Sequence, residues 1–274
     1  MPLKVAIQGQ HASFHDIVAR RYFGEEIKII ACDTFAQVFA ALEKNKAKNA
    51  VVAIENSLFG SINEVYDLLL SKKFWIGGEV YLRISQCLIG LPGSNVKDIS
   101  EVHSHPVALA QCVNYLDTKL PSAVRFEHHD TAGSVADIKK WGDSTKAAIA
   151  SAEAAKLHGM KILAKDIETN KQNYTRFVTL DKKAVMTKGA DKTSLVMTTD
   201  HKPGALYHAL GVFARHNINL TKLQSRPIIS RAWHYMFYID VDAGLQKLEF
   251  QQALDELKNQ DCKLTLLGSY KASR

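Results

Sequence analysis

Five polar loops hold the residues whose types and spacing could do chemistry. The first is Gly9-Gln10-His11-Ala12-Ser13-Phe14, directly after an apolar opening run. Gly9 permits a sharp exit from a strand, and Ser13 offers a hydroxyl that can cap a helix or hold a ligand. The second is Glu55-Asn56-Ser57-Leu58-Phe59-Gly60-Ser61. A carboxylate and an amide at the end of a buried strand are costly unless partnered, which singles out Glu55, Asn56 and Ser57. The third, His103-Ser104-His105-Pro106, brings two imidazoles close. No acidic or Cys ligand follows at helical spacing and Pro106 starts a helix, so His105 reads as a capping or positioning residue rather than a metal ligand. The fourth, Asp130-Thr131-Ala132-Gly133-Ser134, is a helix cap that presents Thr131. The fifth, Asn173-Tyr174-Thr175-Arg176-Phe177, sets a hydroxyl beside a guanidinium. Arg176 can grip a carboxylate bidentately, or lie as a solvated cation on a surface strand.

Together these loops describe a small, electropositive pocket that needs no cofactor. There is no GxGxxG, no phosphate-binding P-loop and no metal-ligand cluster of persuasive spacing. No Ser-His-Asp set can be argued from chain order alone.

The elements that must position the loops are legible as periodicities. Lys4–Ile7, Ala50–Ile54, Gln86–Gly90 and Ala147–Ala150 read as short buried strands. Phe35, Val38, Phe39 and Leu42 recur at helical spacing, as do Ile62, Val65, Tyr66 and Leu69, and Leu109, Cys112, Val113 and Leu116. Thr34-x-x-Gln37 and Ser61-x-x-Glu64 are capping-box patterns, with Ser13-x-x-Asp16 a weaker one. Strands alternating with helices imply an α/β layer architecture. A charged stretch from Asp181 to Asp191 suits a linker. A second unit follows in the order βαββαβ, the ferredoxin-like arrangement: strands at 193–199, 219–226, 235–241 and 263–267, with helices between.

Several of these strings resemble the prephenate dehydratase family. Ile54-Glu55-Asn56-Ser57-x-x-Gly60-Ser61 resembles its Ile-Glu-Asn-Ser segment, and Ser104-His105-Pro106-x-Ala108-Leu109-Ala110-Gln111-Cys112 its Ser-His-Pro-Gln segment. Asp130-Thr131-Ala132 falls at the family's Ser/Thr-rich helix cap, and Asn173-x-Thr175-Arg176-Phe177 matches its Asn-x-Thr-Arg-Phe motif. In the tail, Pro203-Gly204-Ala205-Leu206 and Asn219-Leu220-Thr221-Lys222-Leu223-Gln224-Ser225-Arg226-Pro227 are similar to the Gly-Ala-Leu and Glu-Ser-Arg-Pro motifs of its ACT domain. The matches are collinear over nearly the whole chain. Three departures stand out. The first loop lacks the family's Gly-Pro-x-Gly-Thr pattern, Val107 replaces a Gln, and Gln224 replaces the Glu of the tail motif.

The resemblance implies a catalytic region over 1–183, built as two lobes like a periplasmic binding protein. The lobes are expected at about 1–79 with 160–183, and at 80–159. An ACT regulatory domain is expected over 192–274. It implies conversion of prephenate to phenylpyruvate without a cofactor. Thr175 and Glu55 would be catalytic, and Arg176, Phe177, Asn56, Ser57, Ser13, Thr131 and His105 would bind substrate. Phenylalanine would act as feedback inhibitor through Gly204, Ala205, Leu206, Asn219, Leu220, Gln224, Ser225 and Arg226, in a homodimer or homotetramer. Arogenate dehydratase and a non-catalytic amino-acid-binding regulator are the alternatives.

Composition sets the remaining bounds. The chain has 274 residues, 46% of them hydrophobic, enough for two cored domains. The +7 formal charge is scattered, without the basic-aromatic blocks of nucleic-acid binders. No apolar run approaches the ~20 residues that span a bilayer, and the Met-Pro-Leu-Lys start lacks a signal-peptide pattern. A cytoplasmic protein with no nucleic-acid or membrane partner is expected. Four widely spaced Cys without a CxxC pair point to reduced thiols.

Overall fold

The computed structural model describes residues 2–185, 187–228 and 231–273. The opening apolar run forms β1 (Lys4–Gln8), in which Val5, Ala6 and Ile7 are fully buried. After α1 (Phe14–Phe23) and before α2 (Phe35–Glu43), β2 (Lys28–Cys32) pairs with it in parallel register. β3 (Asn49–Asn56) joins on its other side, also parallel. β3 is apolar on both faces, as a strand covered on both sides must be. α2 buries the four residues picked out by spacing, Phe35, Val38, Phe39 and Leu42. Thr34 caps it by accepting from the Gln37 N–H at 3.2 Å, while the Gln37 side chain accepts from the Asp33 N–H at 2.8 Å. β4 (Gly60–Ser61) pairs antiparallel with the end of β3, and α3 (Asn63–Lys72) begins beyond it. Ser61 lies in β4, two residues before the first residue of α3. β5 (Trp75–Arg83) completes this run.

A second sheet follows. It is built from β6 (Cys87–Gly90), β7 (Glu101–Ser104), α4 (Pro106–Gln111), α5 (Val113–Lys119), β8 (Val124–Glu127), α6 (Thr131–Trp141), β9 (Lys146–Ala150), α7 (Ala152–His158) and β10 (Lys161–Ala164). Its strand order is β10-β6-β9-β7-β8. Side-chain alternation sorts its two faces. Leu88, Ala147 and Ile149 pack with Leu109 and Leu116 of α4 and α5, whereas Cys87, Ile89, Ala148 and Ala150 pack with Val135, Ile138 and Ala154 of α6 and α7. The single helix expected through 109–116 is broken at Cys112, which ends α4 and caps α5.

β11 (Tyr174–Asp181) returns to the first sheet, whose order is β2-β1-β3-β11-β5. The expected lobe limits at 79/80 and 159/160 are corrected here. β5 continues to Arg83, and β10 belongs to the second sheet because it pairs antiparallel with β6. The chain changes lobe at 84–86 and again at 165–173. These two crossings are bonded to each other. Ser85 donates to Asp166 at 2.8 Å, Arg83 to Glu168 at 2.9 Å, and the Gln86 N–H to the other Glu168 oxygen at 2.9 Å.

The C-terminal elements are β12 (Lys192–Thr198), α8 (Ala205–Arg215), β13 (Leu220–Pro227), β14 (Tyr235–Val241), α9 (Leu248–Asn259) and β15 (Lys263–Tyr270). They form a βαββαβ unit with antiparallel order β13-β14-β12-β15. Phe250, Ala253, Leu254 and Leu257 recur at i, i+3, i+4, i+7 and join Leu195, Met197, Ile239, Val241 and Phe213 in its core. By compactness the chain divides into residues 1–68 with 80–177, and 69–79 with 178–274. In that division the start of β5 and the end of β11 group with the C-terminal elements. No described helix is long and apolar enough to cross a membrane.

Within the C-terminal unit, the Lys192 ammonium lies 3.0 Å from the Glu79 carboxylate, with the Glu79 side chain fully buried and that of Lys192 6% exposed. Removing one member of a buried pair strands the other charge away from water. Lys192→Ala is expected to destabilise the protein by about 3–5 kcal/mol, read as a shift in the midpoint of urea unfolding at unchanged slope.

Candidate functional site

Each sheet of the two-lobed unit has a point where crossovers leave in opposite directions: β1 lies between β2 and β3, and β7 between β8 and β9. Ligands in open α/β sheets collect beyond the strand ends at such points. Here the loops that follow β1, β3 and β7, and the loop that precedes α6, surround a cavity of about 390 Å³. β11 supplies its floor through Thr175 and Phe177.

One amide organises this floor. The Asn56 Nδ2 group donates to Asn173 Oδ1 at 2.8 Å, to Thr175 Oγ1 at 2.9 Å and to the Tyr174 carbonyl at 3.2 Å. Its Oδ1 accepts from the Leu58 and Phe59 N–H groups at 3.0 and 3.1 Å. Thr175 is 8% exposed and has Asn56 as its only side-chain partner among the described residues. Because Asn56 donates, Thr175 Oγ1 accepts, and the hydroxyl proton remains available to a group in the cavity.

The loop after β1 is clasped from the second lobe. Gly9 has φ +88°, and a Cβ there would stand 3.0 Å from Asp130 Oδ1. Asp130 caps α6 by accepting from the Gly133 N–H at 2.8 Å and also accepts from the Gln10 N–H at 3.3 Å. Ser151 donates to the Ala12 carbonyl at 2.7 Å. Ser13 caps α1, accepting from the Asp16 N–H at 3.3 Å. Ser13 and Thr131 line the cavity at the N-termini of α1 and α6, helix ends whose N–H groups and positive dipole ends favour an anion.

Two of the imidazoles that line the cavity, His15 and His105, are shifted toward the neutral form by burial. His15 accepts at Nε2 from the Ala53 N–H at 3.2 Å, and burial pushes its pKa down to about 3. His105 caps α4, its Nδ1 accepting from the Val107 N–H at 3.2 Å; burial lowers its pKa, partly opposed by Asp130 and Glu127. Beside them, Gln86 donates to Gln111 Oε1 at 3.1 Å, and the Gln86 Oε1 atom is buried with no partner among the described residues.

Of the residues expected at the site, Thr175, Phe177, Asn56, Ser13, Thr131 and His105 line the cavity, whereas Glu55, Arg176 and Ser57 do not. The reason is strand alternation. Asn56 faces the cavity, so Glu55 faces away; Thr175 and Phe177 face it, so Arg176 turns aside and lies 3.9 Å from Glu55. Ser57 serves the backbone, donating to the Gln172 carbonyl at 2.9 Å and accepting from the Tyr174 N–H at 3.0 Å. His103 and His105 diverge, since His103 bonds Glu101 at 3.0 Å and stacks on Phe126. Sequence reasoning missed His15, Gln86, Gln111 and Asp130 as cavity residues. The available signals were a His two positions beyond a helix cap and a Gln at the start of an apolar strand.

The expected effector residues separate within one chain. Ala205 and Leu206, beside Gly204 (φ +81°), border a cavity of about 450 Å³ with His201, His234 and Tyr235. Asn219 and Leu220 border another, of about 340 Å³. Gln224, Ser225 and Arg226 lie on β13, an edge strand, and line neither.

Two outcomes follow from this geometry. Gly9→Ala should cost about 1–3 kcal/mol, from a strained φ and crowding of Asp130, measured by equilibrium unfolding. For His15 the folded pKa is depressed, so the unfolded chain binds more protons between pH 3 and 6.5. Its stabilising contribution is complete above 6.5 and is lost as pH falls toward 3. His15→Asn should therefore flatten the acid limb of a stability-against-pH curve.

Comparison with known proteins identifies the family. The family model for prephenate dehydratase matches residues 5–185, and that for the ACT domain matches 193–259. A bifunctional chorismate mutase/prephenate dehydratase of Aquifex aeolicus is 36% identical over 268 residues, 98% of this chain and 73% of that protein. Arogenate dehydratase 2 of Petunia hybrida is 39% identical over 285 residues, 98% of this chain and 71% of that protein. Among solved structures, a quorum quenching acylase superposes with TM-score 0.88 at 33% identity over 98% of both chains. Prephenate dehydratase of Arthrobacter aurescens in complex with L-Phe superposes with TM-score 0.88 at 28% identity, over 98% of this chain and 90% of that one. The chain belongs to the prephenate dehydratase family and carries a C-terminal ACT domain.

Proposed function

We propose that the chain catalyses the decarboxylating dehydration of prephenate to phenylpyruvate, as named for its bifunctional relatives. The observation that carries this reading is the Thr175 hydroxyl, held by Asn56 with its proton free in the cavity. In the reaction the bond from ring carbon to carboxylate breaks and carbon dioxide leaves. The electron pair moves through the diene and expels the para hydroxyl, which departs as water after taking one proton. Aromatisation supplies the driving force, and the electron count closes without an oxidant. Thr175 donates a hydrogen bond to the departing oxygen. Helix N-termini at Ser13 and Thr131, with His105, hold the carboxylates, and Phe177 flanks the ring. Glu55 and Arg176 support the strand from its other face, and Ser57 fixes the Gln172–Tyr174 backbone.

Arogenate is the second substrate to assay, since relatives of equal similarity are named for it. Acyl transfer, as in the acylase relative, calls for a base-activated nucleophile. Neither Thr175 nor Ser13 is hydrogen-bonded to an imidazole. For the C-terminal unit we propose phenylalanine as feedback effector, following the relative solved with L-Phe. The edge position of Gln224–Arg226 fits a site completed by a second copy, hence a homodimer or homotetramer. A catalytic segment over 1–183, a regulatory segment over 192–274 and a cytoplasmic location belong to the same proposal.

The test is phenylpyruvate formation by the purified chain, with and without phenylalanine. Turnover suppressed by phenylalanine supports both halves. Thr175→Val is expected to lower kcat on the order of 10²–10³-fold with a much smaller change in KM, because the lost bond strengthens only in the transition state. A near-normal kcat sinks that assignment.

A further inference from the structure

We propose that His15 is a substrate-contacting hydrogen-bond donor that reads the side-chain end of the substrate, opposite the end held by Thr175, and favours a 2-oxo acid over the matching 2-amino acid. This deepens the dehydratase reading and rests on it.

The Ala53 backbone N–H can only donate, and it lies 3.2 Å from His15 Nε2. Nε2 therefore presents a lone pair, and the single proton of the neutral ring sits on Nδ1. Nδ1 has no partner among the described residues, and it is absent from the buried polar atoms closed off from solvent. It is a fixed, unsatisfied donor in a residue that lines the cavity. The ring cannot easily turn to hide it. Phe177 meets it edge-on with centroids 5.0 Å apart at 89°, and Phe35 flanks it at 5.8 Å and 60°. The lowered pKa keeps the group uncharged at neutral pH, so it acts through direction rather than net charge.

Placement decides which end of the substrate it meets. Phe177 and Thr175 alternate on one face of β11, about 6.6 Å apart along the strand, and His15 leans on Phe177. A six-membered ring lying along this floor with its para hydroxyl at Thr175 brings its opposite substituents to His15. There the N–H can donate to a keto or carboxylate oxygen. An ammonium at the same place would face another donor with no lone pair to receive its hydrogens.

The experiment measures kcat/KM for prephenate and arogenate in wild type, His15→Phe, His15→Asn and His15→Gln, with melting curves to establish folding. A further measurement determines the imidazole tautomer of wild type at pH 7 by ¹⁵N NMR. His15→Phe should lower kcat/KM for prephenate by about 10- to 100-fold, the value of a hydrogen bond to a charged group, with arogenate far less affected. His15→Asn, whose amide nitrogen takes the Nδ1 position, should restore most of the loss, and His15→Gln should not. An unchanged substrate ratio in a folded His15→Phe protein overturns the proposal while leaving the dehydratase reading intact. Wild type inert toward both substrates overturns the dehydratase reading itself. Should His15→Phe fail to fold, the tautomer decides: a proton on Nε2 refutes the proposal and one on Nδ1 upholds it.

Discussion

Asn56 uses the whole hydrogen-bonding capacity of its amide inside the protein. Three acceptors on the Asn173–Thr175 segment surround its nitrogen, and two backbone donors from its own turn meet its oxygen. A buried amide satisfied in this way cannot rotate without orphaning several groups at once, so it behaves as a rigid bracket. The bracket fixes the start of β11 against the end of β3. The floor of the cavity, the facing of Thr175 and Phe177, and the crossing of the chain between lobes are all referred to it. An isosteric carboxylate would keep the shape and lose the donors, leaving Thr175 without its fixed lone-pair partner.

The clasp on the first loop works on the same scale. Asp130 serves the N-terminus of α6 and the Gln10 N–H with one oxygen, while its other oxygen leaves no room for a Cβ at residue 9. A helix cap is thereby also a joint between lobes. It places the N-termini of α1 and α6 around the same volume, so anion-binding character arises from backbone dipoles rather than from lysines brought inward.

Much of this was legible in the sequence. Helical spacing located α2 and α9, capping residues located the starts of α1, α2, α4 and α6, and the βαββαβ order of the C-terminal unit followed from alternation. Motif resemblance pointed to Asn56 and Thr175. What failed was facing. Glu55 and Arg176 sit next to cavity residues in sequence, and a strand sends neighbours to opposite sides; only the pairing of β3 with β11 says which side is which. The end of the second lobe was misplaced because β10 is short and its partner, β6, lies more than 70 residues earlier, a pairing no local pattern encodes. His15 escaped notice because its importance comes from Ala53, a backbone group 38 residues away.

Asn56 and Thr175 are 119 positions apart, and Gln10 and Asp130 are 120. As the chain leaves the ribosome, the first lobe must therefore wait with an unfilled slot between β3 and β5 while the whole second lobe is made and folds. Contacts of such sequence separation close late and slowly. Until β11 arrives, the flank of β3 is an open strand edge of apolar residues, the kind of surface on which nascent chains pair wrongly. The same bracket that gives the mature cleft its rigidity thus makes synthesis of residues 56–175 the interval in which this protein is most exposed to misassembly.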